Sequence, residues 1–184
     1  MLTEIRLHGR AGQGIVTAAE LLAVAAGFEG RHSQAFPFFG SEKRGPPVAG
    51  YCRISDAPIE IHEQVYNPDI VIVCDDTILD IIDVASGLKP NGVVLINTSK
   101  KPSELGIKIS GGQKLLAVNG TDIAIKYFRK PITNTVMLGA LSKATGIVGL
   151  EALKKAIMQR FSGEPAKHNI DAITECFNDL VATQ

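Results

Sequence analysis

The apolar residues of the chain form mainly short, strand-like runs before residue 120 and helical patterns after it. Before it, most runs are short, rich in Val and Ile, and bounded by Gly, Pro, Asn or Asp, which predicts strands. The run at 69–76, "DIVIVCDD", is continuously apolar at its centre, as in parallel strands buried on both faces. Strands are predicted at 4–9, 48–55, 58–63, 69–76, 92–99 and 114–119, with a small segment at 106–110 before the last.

Helical patterns lie between and after these strands. Residues 14–27 are rich in Ala and Leu and end on Gly27, which predicts a helix directly after the first strand. Further helices are predicted at 77–87, 121–128, 134–146, 150–161 and 166–183. Alternating strands and helices followed by helices alone predict an α/β fold. We expect a single domain, 1–184: a three-layer Rossmann-like domain with a mostly parallel sheet and C-terminal helices.

Composition limits the classes of function. The 184 residues carry 19 Lys+Arg and 19 Asp+Glu, so the chain lacks the basic excess of a nucleic-acid binder. No apolar run reaches the length of a membrane span, and the N-terminus has no secretory pattern, so we expect a cytoplasmic protein. Cys52, Cys74 and Cys176 lie far apart and form no CxxC pair. That spacing argues against a metal or iron–sulfur site held by this chain.

The sharpest local signal is the segment "LHGRAGQGIVTAAELL", residues 7–22. Gly9, Gly12 and Gly14 lie between a predicted strand and a predicted helix, where backbone N–H groups and the positive helix end can hold an anion. The segment has the glycine spacing of a Walker A loop but not its lysine, and Thr17 replaces the third glycine of a dinucleotide fingerprint. A phosphate cradle and a tight turn that needs small residues for packing both remain open.

A second unusual segment is "AFPFFGSEKRGPPVAGYCRIS", residues 35–55. Lys43 and Arg44 lie between two rigid turns, which favours a projecting pair of cations for a phosphate or carboxylate. Ordinary surface or inter-subunit ion pairs are the alternative. Phe36, Phe38 and Phe39 are grouped on this predicted loop, and we interpret them as core or interface anchors.

Other polar residues give weaker signals. Asp75 and Asp76 follow a buried strand and have the chemistry of a Mg²⁺ site, but a helix N-cap explains them equally. Cys74 before them is expected to be a small core residue. Asn134 precedes a predicted helix, and we favour a cap there over a side chain that reaches toward the glycine segment.

Three motifs together resemble the gamma subunit of the 2-oxoacid:ferredoxin oxidoreductases. The segment "GRAGQG" is similar to a GxGGQG-type loop of that family, with Ala11 at a position where the family often has Gly. The segment "FGSEKRGPPVAGYCRIS" is similar to the family's GxExRGG/GxP segment, and "NTVMLGALSKATG", residues 134–146, to a helix that opens with NxxMLGA. The RGPP form resembles the pyruvate-type subunits.

The resemblance implies a function that needs other chains. The family converts a 2-oxoacid, coenzyme A and oxidised ferredoxin to acyl-CoA, CO₂ and reduced ferredoxin. It implies alpha, beta and delta-type partner subunits that carry thiamine diphosphate, Mg²⁺ and 4Fe-4S clusters. No thiamine-diphosphate signature of the GDG…NN type occurs in this sequence. This chain is expected to shape the active site, the approach of coenzyme A and the subunit interface.

The resemblance and the residues together imply a cofactor-binding set without a catalytic or metal-binding residue of its own. That set is Gly9, Arg10, Gly12, Gln13, Gly14, Lys43, Arg44 and Asn134. Coenzyme A is the expected ligand, and the isolated chain is expected to form a homodimer. Two alternatives remain open at this stage: a stand-alone nucleotide-binding oxidoreductase, and a purely structural assembly subunit.

Overall fold

A six-stranded mixed sheet forms the centre of the fold. The computed structural model describes residues 1–38 and 46–180, except the side chain of Phe38. The strands are β1 (Leu2–Arg10), β2 (His32–Phe38), β3 (Pro47–Ser55), β4 (Ile70–Val73), β5 (Val93–Asn97) and β6 (Lys114–Val118). Their order is β2-β3-β1-β4-β5-β6. β3 pairs antiparallel with both neighbours, and β1, β4, β5 and β6 pair in parallel. The predicted α/β class with a mostly parallel sheet is confirmed.

Five helices complete the main hydrophobic core with one face of the sheet. They are α1 (Ile15–Phe28), α2 (Gly120–Phe128), α3 (Val136–Thr145), α4 (Leu150–Arg160) and α5 (Gly163–Asp179). Helix α3 is buried along its whole first two turns, Val136–Ser142. It packs closely on α5, since a Cβ on Gly139 would meet the backbone carbonyl of Ile173. The predicted C-terminal helices are confirmed.

The opposite face of β4 and β5 has a smaller core. Val71, Val73, Val94 and Ile96 pack there against Ile78 and the segment that follows it. The helix predicted at 77–87 is wrong, because only a 3-10 turn forms, at Asp76–Ile78. Carboxylates divide this segment into turns: Asp75 accepts from the backbone N–H of Thr77 and Asp83 from that of Ala85. Such local side-chain bonds compete with helical ones.

The strand predicted at 58–63 is also wrong, because its backbone carbonyls accept hydrogen bonds from the side chains of buried Arg53 and half-buried Gln34. Arg53 donates to the carbonyls of Ile61 and Glu63, over 3.4 and 2.8 Å, and Gln34 donates to that of Ile59 over 3.0 Å. These bonds hold the segment against the second face of β2 and β3 without a ladder.

Strand β2 was not predicted. Pro37 removes one backbone donor, yet β2 lies at the edge of the sheet, where such a donor is not needed by a neighbour. Phe36 therefore lies in a strand and not in a loop. Its ring contacts Tyr51 at 5.3 Å between centroids, and the Arg53 guanidinium lies 5.2 Å from it. These contacts within the chain agree with the core alternative for Phe36, and its role at an interface stays a prediction. Phe39 and the side chain of Phe38 lie outside the described residues.

Candidate functional site

The glycine segment forms a tight turn at the carboxyl edge of the sheet, where β1 enters α1. Gly12 and Gly14 have φ values of 91° and 74°, which explains the need for glycine at both. The Gln13 N–H donates to the Arg10 carbonyl over 3.1 Å, and the Ala11 N–H donates to the Pro46 carbonyl over 3.2 Å. Helix α1 has no side-chain cap at Gly14. Its first N–H groups therefore face the turn without a side-chain acceptor.

Gln13 ties this turn to the end of the neighbouring strand β4. Its Oε1 accepts from the Arg10 N–H, and its Nε2 donates to Asp75 Oδ2, each over 2.7 Å. Arg10 Nε lies 3.6 Å from the same Asp75 oxygen and donates to Thr77 Oγ1 over 3.0 Å. The Gln13 side-chain amide, bonded to the Arg10 backbone and to Asp75, thus fixes the conformation of the loop.

Asp75 is a carboxylate in this arrangement. Burial alone raises its pKa, but hydrogen bonds from Thr77 and Gln13 and the charge of Arg10 outweigh burial and lower the pKa below its ordinary value. The carboxylate also caps the 3-10 turn through the Thr77 N–H, at 3.0 Å. The cap interpretation of Asp75 is therefore confirmed. Among residues 1–38 and 46–180, no three potential ligands group as a metal ion would require.

Side chains just before α3 donate hydrogen bonds to backbone carbonyls that follow β1 and β4. Asn134 Nδ2 donates to the Gly14 carbonyl over 3.0 Å, and Thr133 Oγ1 donates to the Cys74 carbonyl over 2.9 Å. Asn97 Nδ2 also donates to the Cys74 carbonyl, over 2.9 Å. The favoured cap role of Asn134 is wrong, since Thr135 occupies the N-cap position and no side chain caps α3. Asn134 instead reaches the glycine turn.

Six of the eight predicted cofactor-binding residues are brought together at this edge: Gly9, Arg10, Gly12, Gln13, Gly14 and Asn134. Lys43 and Arg44 lie outside the described residues. The described residues on either side of that segment, Phe38 and Pro46, lie at the same edge, because Phe38 pairs with Ala49 and Pro46 accepts from Ala11.

Sequence reasoning missed His8, which lies two residues before Arg10 on the same face of β1. It is 6% exposed, and neither ring nitrogen has a hydrogen-bond partner. Burial first and the Arg6 charge second lower the pKa of His8 to about 3, so the imidazole is neutral at physiological pH. No sequence signal marks it, because burial on that face depends on the packing of distant segments.

The cysteines offer no nucleophile to this edge. Cys74 is 2% exposed in the main core, as predicted. Burial raises the pKa of Cys74 to about 12, and the same cause raises the pKa values of Cys52 and Cys176 to about 12. A thiol protonated to that degree neither attacks a carbonyl nor ligates a metal readily. None of the three cysteines is therefore a reactive group at this edge.

The chain thus combines an α/β sheet with an ordered glycine turn at its carboxyl edge, and comparison with known proteins gives its class. The model of the family "Pyruvate ferredoxin/flavodoxin oxidoreductase" matches residues 4–178, and the chain belongs to that family. It is 50% identical over 181 residues to the pyruvate/ketoisovalerate oxidoreductases common subunit gamma of Thermococcus litoralis, covering 98% of each chain. The predicted resemblance to a pyruvate-type gamma subunit is confirmed.

Two further relatives are similar to this chain over more than nine-tenths of their length. Pyruvate synthase subunit PorC of Methanothermobacter marburgensis is 49% identical over 171 residues, 93% of each chain. The crystal structure of pyruvate oxidoreductase subunit PORC from Thermotoga maritima superposes with a TM-score of 0.85 at 39% identity, covering 96% of both chains. No helix in the described part of the chain is long and apolar enough to cross a membrane.

Proposed function

We propose that this chain is the gamma subunit of a cytoplasmic pyruvate:ferredoxin oxidoreductase of several subunits. The complex oxidises pyruvate by two electrons, transfers the acetyl group to coenzyme A, releases CO₂ and reduces ferredoxin. Similarity to gamma and PorC chains over at least 93% of both partners supports the assignment. Alpha, beta and delta-type subunits complete the complex, and ferredoxin accepts its electrons.

The geometry of the glycine turn is the main support for a role of this chain in coenzyme A binding. The N–H groups of Gly12 and Gly14 donate no backbone hydrogen bond within the described residues, and they adjoin the uncapped start of α1. A phosphate of coenzyme A is the group that such a turn would accept. Gln13 and Asn134 hold the turn in shape, and the Arg10 guanidinium, paired with Asp75, lies beside it. Lys43 and Arg44 are proposed as further phosphate contacts.

The carbon and electron chemistry is assigned to the partner subunits. Thiamine diphosphate with Mg²⁺ would supply the decarboxylation there, and 4Fe-4S clusters would carry the electrons. This chain does not fit an iron–sulfur cluster, since its three cysteines are buried in separate elements with raised pKa values. Its own residues would bind and orient coenzyme A and cover the active site. We further propose that the isolated chain self-associates as a homodimer.

Reconstitution tests this function. A complex assembled without this chain is expected to lose pyruvate- and coenzyme A-dependent reduction of a viologen dye, and adding the purified chain back should restore it. The chain alone is expected to contain no iron and no visible chromophore and to show no activity, by metal analysis and absorption spectroscopy. Full activity of the complex without this chain, or stoichiometric iron in the isolated chain, would refute the proposal.

A further inference from the structure

A groove of about 530 Å³ lies on the second face of the sheet, over the smaller core of β4 and β5. One wall comes from residues 79–88 and the other from residues 105–113. Helices usually cover this face of an α/β sheet, but the segment after β4 forms only a 3-10 turn. The floor of the groove is therefore apolar and open, and its half-buried side chains are Leu79, Ile82, Leu105 and Ile107.

Exposed isoleucines lie on both walls of this groove. Ile81 lines the first wall and is 62% exposed, and Ile109, beside Lys108 on the second wall, is 40% exposed. A single exposed apolar side chain is normal in a folded protein. Two of them beside an open apolar floor form a continuous patch, and such patches mark surfaces that another molecule covers.

The two walls of the groove carry opposite charges. Residues 75–88 contain four Asp and no Lys or Arg, whereas residues 98–114 contain four Lys and one Glu. Asp80 on the first wall and Lys108 on the second are both exposed and line the groove. Among residues 1–38 and 46–180, no ion pair includes either of them. Each wall therefore presents a charge that is not paired within the described part of the chain.

A surface with one negative wall, one positive wall and an apolar floor between them is complementary to a second copy of itself. A two-fold rotation about an axis through the groove places the negative wall of one copy on the positive wall of the other, and it makes the reverse contact at the same time. A different protein would need its own pair of oppositely charged walls at the same spacing. A second copy of this chain has them already, so the charges favour that occupant.

We propose that this groove is the interface through which two copies of the chain form a homodimer. Asp80 of each protomer pairs with Lys108 of the other, and Ile81 of each packs on the apolar floor of the other. Burial of the apolar centre supplies most of the affinity, and the flanking ion pairs fix the relative orientation of the protomers. This inference rests on the self-association proposed above, which it extends by naming the surface.

Sedimentation equilibrium of the full chain tests the apolar part of the interface. The wild type is expected to sediment at twice the 19.6 kDa of one chain. Ile81→Asp places a carboxylate on the apolar floor twice in each dimer, so the dissociation constant should rise about 100-fold or more. Ile125→Asp is the matched control, because Ile125 is 46% exposed on α2 and does not line the groove, and it should stay dimeric. Circular dichroism should show that both variants are folded.

Charge reversal tests the two-fold pairing. Lys108→Glu or Asp80→Lys alone brings like charges together twice in each dimer, which should weaken association about 10-fold or more. When the two variants are mixed in equal amounts, each reversed charge meets its opposite, so a heterodimer should form with an affinity close to that of the wild type. A fluorescent label on one variant, followed during sedimentation, detects this heterodimer.

A wild-type dimer that survives Ile81→Asp and both charge reversals would overturn the assignment of the groove and leave self-association to another surface. A monomeric wild type would overturn both this inference and the proposed homodimer. The role of the chain in the oxidoreductase would not be affected, because the reconstitution described above tests it separately. If the wild type is monomeric and Ile81→Asp prevents reconstitution of activity, the groove belongs to a contact with a different subunit, and the inference is wrong.

Discussion

Replacing Arg53 with methionine is expected to destabilise the fold by about 3–5 kcal/mol, the range for removing one partner from a buried ion pair. Arg53 is 1% exposed, and its Nε donates to Glu4 Oε1 over 3.0 Å. Its other nitrogens donate to carbonyls of the 61–64 segment. Methionine keeps the apolar stem but leaves Glu4 with Lys89 alone and leaves those carbonyls without their donor. Denaturant unfolding followed by circular dichroism measures the loss.

Arg160→Met is the control for the Arg53 variant. Arg160 is exposed and takes part in no ion pair of the described residues, so the free energy of unfolding should change by less than about 0.5 kcal/mol. Equal stability of the Arg53 variant and this control would mean that the 61–64 segment is not held by Arg53.

Gly139→Ala is expected to destabilise the chain by about 3 kcal/mol, at the upper end of the range for overpacking. A Cβ at this position would collide with the backbone of Ile173, and a backbone carbonyl cannot rotate away as a side chain can. Helices α3 and α5 would have to separate within the main core. At this chain length the melting temperature should fall by about 6–12 °C, measured by calorimetry.

Gly27→Ala separates that collision from the general effect of glycine replacement. Gly27 also lies within a helix, but an added Cβ would have no atom within 4 Å. Alanine is favoured over glycine in a helix by about 1 kcal/mol, so this variant should be slightly stabilised. A Gly139 variant as stable as the wild type would show that α3 and α5 are less closely packed than described.

The parts of the fold predicted from sequence are those in which local pattern and tertiary packing agree. Strands β4 and β5 are runs of Val, Ile and Leu buried on both faces of the sheet. Strand β6 is an apolar run at the edge, and the C-terminal helices carry apolar stripes. The helix predicted at 77–87 does not form because Asp75 and Asp83 accept hydrogen bonds from nearby backbone N–H groups and turn the chain. The strand predicted at 58–63 does not form because carbonyls of this segment accept hydrogen bonds from the side chain of Arg53, which lies on β3.

The candidate site was predictable in position but not in construction. Glycines between a strand and a helix located the turn. The bond from Gln13 to Asp75 joins residues 62 apart, and that from Asn134 to Gly14 joins residues 120 apart. Neither can be inferred without knowing that β1 and β4 are neighbours and that α3 begins beside α1. The sequence therefore pointed to Gln13, Asp75 and Asn134 one by one, and the topology of the fold determines which of them bond to each other or to the turn.

We propose that this subunit presents an ordered glycine turn to coenzyme A, and a titration tests this role most directly. Coenzyme A is titrated into complexes assembled with wild-type, Gln13→Ala or Gln113→Ala chains. Gln113 makes similar side-chain bonds to a loop, to Leu88 and Ser110, but lies before β6 at the opposite edge of the sheet. It is therefore the matched control.

Gln13→Ala should weaken coenzyme A binding about tenfold or more, because the turn loses its bonds to the Arg10 N–H and the Asp75 carboxylate. Gln113→Ala should bind coenzyme A as the wild type does, and both complexes should remain assembled. Unchanged affinity of an intact Gln13→Ala complex would contradict the account and reduce the glycine turn to a packing element.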